Sequence, residues 1–452
     1  MLTKKIIVIG GNAAGPSAAA KAKRVNPEAE VIMFEAGEFI STGTCELPYI
    51  ISGDIDDYKK IVFFDEKSFL EKKGVKVFTK HLVESIDRMR KTIQVKDLTD
   101  ESTKTFSYDK LVLTTGSVAK KIPTLSDNLE NVFYLKSVTN YLQIKDYIES
   151  HTVRNVLIIG ASFIGLEVAD AFKSSGKNVM VLDSLEHPMP NGESEIQHLI
   201  EDTLAEHGVK FIGNAGATQY TFEENMLKSF KFEGRTKEID IAIVAIGVAP
   251  NTSLAIKANL ELGAFGGIKV DTKLKTSDPN IFAAGDNTEV INQVTNRPDY
   301  MPIATIAHKQ GHTAGANAAG AYEFMKPVIR NIAVKIFDKT YSSVGLTSEE
   351  VKKMRFVSRS VSAVTYNIIK VMPGSGKVFG KIIFNPDTKL IYGASFYGGA
   401  EVIGFADMIA SFIQNKISGN KLAEINFNYT PPRSPFINLL SILGRKITEE
   451  GK

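Results

Sequence analysis

KIIVIGGNAAG at residues 5–15 and RNVLIIGASFIG at residues 154–165 repeat one pattern: a short apolar strand, a Gly-rich turn, and a helix opening on small residues. In such a unit the glycines let backbone approach a pyrophosphate, while the helix N-terminus supplies N–H donors and the positive end of its dipole. The first turn reads Gly10-Gly11-Asn12-Ala13-Ala14-Gly15 and the second Gly160-Ala161-Ser162-Phe163-Ile164-Gly165. In both, a small polar residue (Asn12, Ser162) replaces the middle glycine, which still lets a phosphate come close at some steric cost. Pro16 raises no objection, because proline is tolerated in the first turn of a helix. An acid belongs about 20 positions further on, where it accepts from a ribose hydroxyl. Glu35 closes EVIMFE and Asp183 closes VMVLD at that distance, with surface strand-end acids as the plainer reading. The only cysteine, Cys45, follows the first unit closely. Two nucleotide units and one sulfur imply a redox enzyme.

Composition narrows the classes. The chain has 452 residues, enough for two to four domains, and its 43% hydrophobic and 23% charged content is ordinary for a soluble globular protein. A net charge of +3 leaves no electrostatic footprint for nucleic acid. The apolar runs fall short of the roughly 18–20 residues that span a bilayer. The first strand starts at about Lys5, which leaves no room for a signal peptide, and a lone cysteine builds no disulfide framework. A reactive thiol is best kept in a reducing compartment, so a cytoplasmic location is expected.

Further along, DEKSFLEKKG (65–74) reads as a helix, while KVFTKHLVESI (76–86) and KTIQVKDL read as alternating strands. YDKLVLTTGS (108–117) is a strand ending in a turn, IDIAIVAIGVAPN a strand, and IFAAGDN (281–287) a strand meeting a Gly-Asp turn. A small-residue helix, HKQGHTAGANAAGAY, follows. From about Pro327 the texture becomes β-rich with a late helix, EVIGFADMIASFIQNK, which marks a separate α+β domain.

Taken together, the two glycine turns, YDKLVLTTGS, IAIVAIGVAPN and TSDPNIFAAGD resemble the pyridine nucleotide–disulfide oxidoreductase superfamily over essentially the whole chain. The resemblance implies an α/β fold of two Rossmann-like dinucleotide-binding domains plus a C-terminal α+β dimerisation domain. The FAD domain would comprise residues 1–117 and 250–325, the NAD(P) domain 118–249, and the dimerisation domain 326–452. Members with two redox cysteines place them five apart and use a C-terminal histidine, but Ile50 stands five after Cys45 and the last histidine is His312. STGTCELPYIISG instead resembles the single-cysteine branch: coenzyme A disulfide reductases, NADH oxidases, NADH peroxidases and persulfide or polysulfide reductases. In that branch oxidases and peroxidases carry a histidine where Ala13 stands here, and a bound peroxide without an imidazole loses its usual proton donor. A small disulfide, persulfide or polysulfide is therefore the expected acceptor, and coenzyme A a possible part of it. The alternatives are reduction of oxygen or peroxide, and a flavin redox sensor or electron-transfer reductase.

The resemblance also assigns residues. FAD is implied at Gly10–Gly15, Glu35, Val83, Thr115, Gly116, Gly285, Asp286 and Ala304, with Asp286 on the ribityl chain and the helix entered at Pro302–Thr305 facing the reduced flavin. NADH, with NADPH as the alternative, is implied at Gly160, Ser162, Phe163, Ile164, Gly165, Asp183 and Gly247. Cys45 is the redox sulfur, with a buried structural cysteine as the bland reading. Thiolate chemistry calls for a lowered pKa there, which an inward Glu46 would oppose; Glu46 reads as a solvated loop carboxylate. Glu167 stands near the nicotinamide amide, or is a plain helix carboxylate. Phe163 is a gating aromatic over the flavin, or a core side chain. Lys21, Arg24 and Lys73 read first as a solvated basic face; by resemblance they, with Ser41, contact a 3′-phosphoadenosine end. Tyr429-Thr430-Pro431-Pro432 resembles the segment that carries a tyrosine across a homodimer to the partner's cysteine, while the branch's second tyrosine is Met372 here.

Overall fold

The computed structural model describes residues 4–126 and 128–450. Strand Lys5–Ile9 pairs in parallel with Glu30–Phe34 on one side and Lys110–Leu113 on the other; Lys76–Phe78 and Ile281–Ala283 complete the five-stranded sheet. Its central strands are near-continuous apolar runs because both faces are covered. Helix Ala14–Val25 lies against helix Ala304–Ala319, and glycine sets the closeness of the pair. A Cβ on Gly311 would stand 2.2 Å from the carbonyl oxygen of Ala14, and one on Gly315 2.1 Å from that of Ala18. The expected strand 76–86 is broken: Lys80 takes a left-handed conformation (φ 53°), so Lys76–Phe78 joins the parallel sheet and His81–Asp87 opens an antiparallel one with Thr92–Asp97 and Thr103–Ser107.

A second parallel sheet repeats the plan. Its order is Val132–Tyr134, Ile241–Val244, Asn155–Ile159, Asn178–Leu182, Lys210–Ile212, and helix Phe163–Ser174 follows its central strand. The chain crosses between the two sheets through a small antiparallel pair, Ser117–Ala119 with Val248–Pro250. From residue 331 on, five antiparallel strands carry helices Glu401–Gln414 and Leu439–Glu449.

This last unit is fastened to the second sheet's unit by buried polar bonds. The Lys381 amine reaches Glu193 at 2.9 Å, and Glu193, whose side chain is 1% exposed, also accepts from the N–H (2.8 Å) and hydroxyl (2.6 Å) of Ser348. Tyr397 donates to Thr203 at 2.7 Å, and Asp170 accepts from Lys335 and from the N–H of Phe337, both at 2.9 Å. Among the described residues no helix is long and apolar enough to cross a membrane.

Candidate active site

At the first glycine turn Gly10 has φ 110°, and a Cβ on it would lie 2.1 Å from the Thr114 carbonyl oxygen; one on Gly15 would lie 1.8 Å from that of Gly10. Only glycine permits this closure, and it brings the N-terminus of helix Ala14–Val25 to the end of the sheet. Glu35 stands beside the turn, accepting from the N–H of Gly11 and of Gly37, each at 2.6 Å, with lone pairs left over. Asn12, in the middle glycine's place, accepts from the Thr42 N–H at 3.0 Å and so ties the turn to the loop that carries Cys45. Ala13 is held at φ 31°. Val83 lies in a strand whose register shifts just after it, with its side chain in the core.

Thr115, Gly116 (φ 65°), Gly285 (φ 93°) and Asp286 converge opposite this turn. Thr115 donates to the Asn251 carbonyl at 2.6 Å and accepts from Asn287 at 3.1 Å. Asp286 accepts from Ser117 at 2.9 Å, and Ser117 accepts from the Lys136 amine at 2.8 Å. Ala304 and Thr305 are exposed at the start of their 16-residue helix, which has no side-chain cap, so its first N–H groups are free for an anionic group. The Ser41 hydroxyl and the Asn287 carbonyl oxygen are buried without hydrogen-bond partners. Orphan polar atoms beside a glycine cradle, a ribose-type acid and an open helix end fit a bound dinucleotide.

Cys45 lies in a single turn, Thr44–Glu46, that runs into helix Leu47–Ile51. The residue as a whole is exposed, but enough of the surrounding chain packs around the sulfur to raise the thiol's pKa, first by burial and then through Glu46, Glu167 and Asp286; Lys136 is the cation that opposes them. Glu46 is half-buried, folded against Gly43, and its charge bears on the sulfur, unlike the solvated carboxylate expected. Lys136 itself is pushed down by burial.

At the second turn Gly160 (φ 110°) would place a Cβ 2.5 Å from the Ala245 carbonyl oxygen. Asp183 accepts from the Ala161 N–H at 2.8 Å and the Leu185 N–H at 2.9 Å, the counterpart of Glu35. Ser162 precedes helix Phe163–Ser174, Ile164 is exposed in its first turn, Gly247 has φ 98°, and Phe163 stacks toward Tyr341 with centroids 6.3 Å apart. Glu167, one turn in, is pushed up to about 7 by burial, with Asp170 adding to the shift and the Tyr49 hydroxyl and Lys335 opposing it. Tyr49 donates to Glu167 at 3.4 Å. The helix after Cys45 thus meets the helix of the second glycine turn.

A cleft of about 560 Å³ opens between the two small-residue helices and the Cys45 loop. It is lined by Ser41, Thr42, Arg24 and Lys73, and by three aromatics, Phe63, Phe64 and Phe69. His308 and His312, a turn apart on helix Ala304–Ala319, add two more nitrogen donors. Burial, Lys21 and Arg24 lower the pKa of His312, while Glu323 opposes them. Lys21 is not part of the lining; its amine pairs with Glu323 at 3.1 Å. The size is that of a small-molecule site.

The sequence model of the family described as pyridine nucleotide-disulphide oxidoreductase matches residues 4–311, which spans both glycine turns, the Cys45 loop and the Asp286 turn. The chain belongs to that family. It is 30% identical to the NADH oxidase of Methanocaldococcus jannaschii, covering 97% of each chain. It is 29% identical to the NAD(P)H coenzyme A polysulfide/persulfide reductase of Pyrococcus horikoshii, covering 98% of each. The fold superposes on the NAD-dependent persulfide reductase of A. fulgidus with a TM-score of 0.93 at 30% identity, over 99% of this chain and 83% of that one. The protein is accordingly an NAD(P)H-dependent flavin oxidoreductase with two Rossmann-like sheets.

One expected residue of this oxidoreductase stands apart from the rest. Tyr429 is 48% exposed and meets Phe436, itself 75% exposed, edge-on at 5.4 Å. Lys136, Ser117, Tyr49, the two cleft histidines and the phenylalanine trio were not singled out from sequence. For His308 and His312 a signal existed, the i, i+4 spacing on a helix that closes on the first glycine turn.

Proposed function

We propose that this flavoenzyme oxidises NADH and reduces a small disulfide, persulfide or polysulfide carried on coenzyme A or delivered with it, through Cys45. The cleft is the observation that carries this reading. Arg24, Lys73, His308 and His312 suit phosphate groups, the three phenylalanines suit an aromatic base, and the lining reaches Ser41 and Thr42, next to the Cys45 loop. Coenzyme A joins those features to a sulfur on a long arm.

FAD supplies the two-electron carrier between nicotinamide and sulfur; Gly10–Gly15, Glu35, Thr115, Gly116, Gly285 and Asp286 are the residues that would hold it. Asp183 would orient the NADH ribose. The Cys45 thiolate attacks a substrate R–S–S–R′: the Cys45–S–S–R bond forms, the S–S bond breaks, and R′S⁻ leaves and takes a proton. Two electrons then return Cys45 to thiolate and release RS⁻. Lys136 offsets part of the negative charge around the sulfur. Glu167 keeps its proton up to about pH 7, which withholds one carboxylate charge from the thiolate during attack. Tyr429 would serve as proton donor from a second copy of the chain, and the exposed Tyr429–Phe436 pair suits a homodimer contact.

Oxygen is the second reading, favoured by the similarity to an NADH oxidase. Against it, the residue in the first glycine turn is Ala13, and the charged groups acting on Cys45 are carboxylates and a lysine. NADH consumption by the holoenzyme, compared among coenzyme A disulfide, coenzyme A persulfide, polysulfide, hydrogen peroxide and oxygen, decides between them. Sulfur acceptors should exceed oxygen in kcat/KM by about a hundredfold or more, and oxygen turnover equal to the best sulfur acceptor would overturn the proposal.

A further inference from the structure

Outside the cleft and both glycine turns, His187, His198 and Glu201 present one ligand atom each within 4.8 Å of one another. We infer that these three side chains bind a divalent transition-metal ion of the zinc type and that the bound ion governs the nucleotide-binding segment after Asp183.

The local structure prepares the ligands. His198 and Glu201 stand three apart on helix Ser194–Glu206 and so share a face, and His187 approaches them from the segment that precedes the helix. The rings of His187 and His198 are 5.0 Å apart. His198 Nδ1 lies 2.7 Å from the Ser194 carbonyl oxygen. A carbonyl only accepts, so Nδ1 carries the proton and Nε2 keeps its lone pair for a metal, the usual outer-shell arrangement of a ligating histidine. His187 Nδ1 lies 2.7 Å from Glu201 Oε1, and an ion would replace the proton between them. Glu186, 4.0 Å from His187 Nε2, adds negative charge.

Two imidazoles and one carboxylate suit zinc, which takes nitrogen at about 2.0–2.1 Å and carboxylate oxygen at about 2.0–2.2 Å; calcium and magnesium prefer all-oxygen shells. His198 is exposed, so water has access to a fourth position.

The consequence follows from what the segment holds at its ends. Asp183 is fixed by the N–H groups of Ala161 and Leu185, and Glu193 by Lys381 and Ser348, while His187 stands between them. An ion joining His187 to the helix anchors the middle. Its effect on NADH rests on the reading of Asp183 as the ribose acid, but its binding does not.

The test uses Cys45→Ser holoenzyme, which removes the thiol as a competing ligand, stripped with chelator and titrated calorimetrically with Zn²⁺. One ion per chain is expected, and His198→Ala and Glu201→Gln should each weaken it by at least about tenfold, while the distant His151→Ala should not. Co²⁺ should give visible d–d bands that His198→Ala abolishes, which reports coordination independently of folding. Affinity indifferent to both His198→Ala and Glu201→Gln overturns the site. NADH affinity, read from transient reduction of the bound flavin, should shift by about fivefold or more on adding Zn²⁺, and only with His198 present. Zinc binding with no such shift overturns the coupling, whereas NADH binding indifferent to Asp183→Ala overturns the ribose assignment instead.

Discussion

Glu167→Gln replaces a buried carboxyl by its neutral near-isostere, and the structure sets both the size and the pH range of the effect. Burial lifts the Glu167 carboxyl from 4.5 to about 7. That difference, about 2.5 units at about 1.36 kcal/mol each, corresponds to about 3 kcal/mol. The sign follows from proton counting. Below pH 4.5 both folded and unfolded chains carry the proton and the group is neutral to stability. Between 4.5 and about 7 the unfolded chain ionises while the folded one does not, so stability falls as pH rises and the loss is complete above about 7. Glutamine does not titrate. Urea unfolding of the two holoenzymes, followed by flavin release and far-UV circular dichroism from pH 4.5 to 8.5, should therefore show equal stability at the acid end. The variant should gain up to about 3 kcal/mol at the alkaline end. Tyr49→Phe removes a donor that lowers the Glu167 pKa, so it should displace the window upward. A wild-type-to-variant gap that stays constant with pH, or grows toward acid, would refute the assignment of a buried, neutral Glu167.

Cys45→Ser should keep its flavin and its reduction by NADH while losing turnover with disulfides by at least about a hundredfold, measured by stopped flow and steady-state NADH oxidation; near-normal turnover would remove Cys45 from the chemistry. The kcat/KM ratio should favour NADH over NADPH, because an Asp183 carboxylate placed at the ribose would repel a 2′-phosphate and SLEHPMPNGE holds no lysine or arginine to receive one; a ratio favouring NADPH would point to His187. Arg24→Ala with Lys73→Ala should raise KM for coenzyme A disulfide by about tenfold or more and leave that for inorganic polysulfide nearly unchanged, as expected for lost charge-assisted bonds to phosphate. Tyr429→Phe should slow acceptor reduction by about 10²–10⁴-fold without slowing flavin reduction, and mixed dimers with Cys45→Ser should recover one working site; a monomer in sedimentation would exclude the arrangement.

Much of the fold was legible because parallel strands buried on both faces leave apolar runs, and each ends in glycines that nothing else can replace. A Cβ on Gly10, Gly15, Gly160 or Gly165 would stand under 3 Å from a backbone oxygen, a requirement written directly into residue type. The break at Lys80 was not legible. Nothing in KVFTKHLVESI marks a left-handed lysine, and tertiary pairing of its two halves with different sheets overrode the local alternation. Lys136 was hidden for a different reason. Its amine reaches Ser117, which in turn donates to the Asp286 carboxylate, only because the fold brings these distant segments together, a contact with no local pattern.

The thiol itself was misjudged in sign, and the reason bears on which acceptor suits the enzyme. Local sequence shows a cysteine at a helix start, which predicts a lowered pKa. Burial first, then the carboxylates of Glu46 and Asp286, joined by Glu167 once it ionises, raise the thiol's pKa, so the thiolate is scarcer than in an ordinary cysteine. A thiolate of raised pKa is the stronger nucleophile and the poorer leaving group. In an unsymmetrical encounter, exchange then expels whichever sulfur has the lower pKa, and that sulfur belongs to the substrate rather than to Cys45. Persulfide and polysulfide sulfurs leave as more acidic anions than alkyl thiols do. The expected outcome is a higher kcat/KM for coenzyme A persulfide or polysulfide than for coenzyme A disulfide, and equal values for the two would refute the argument.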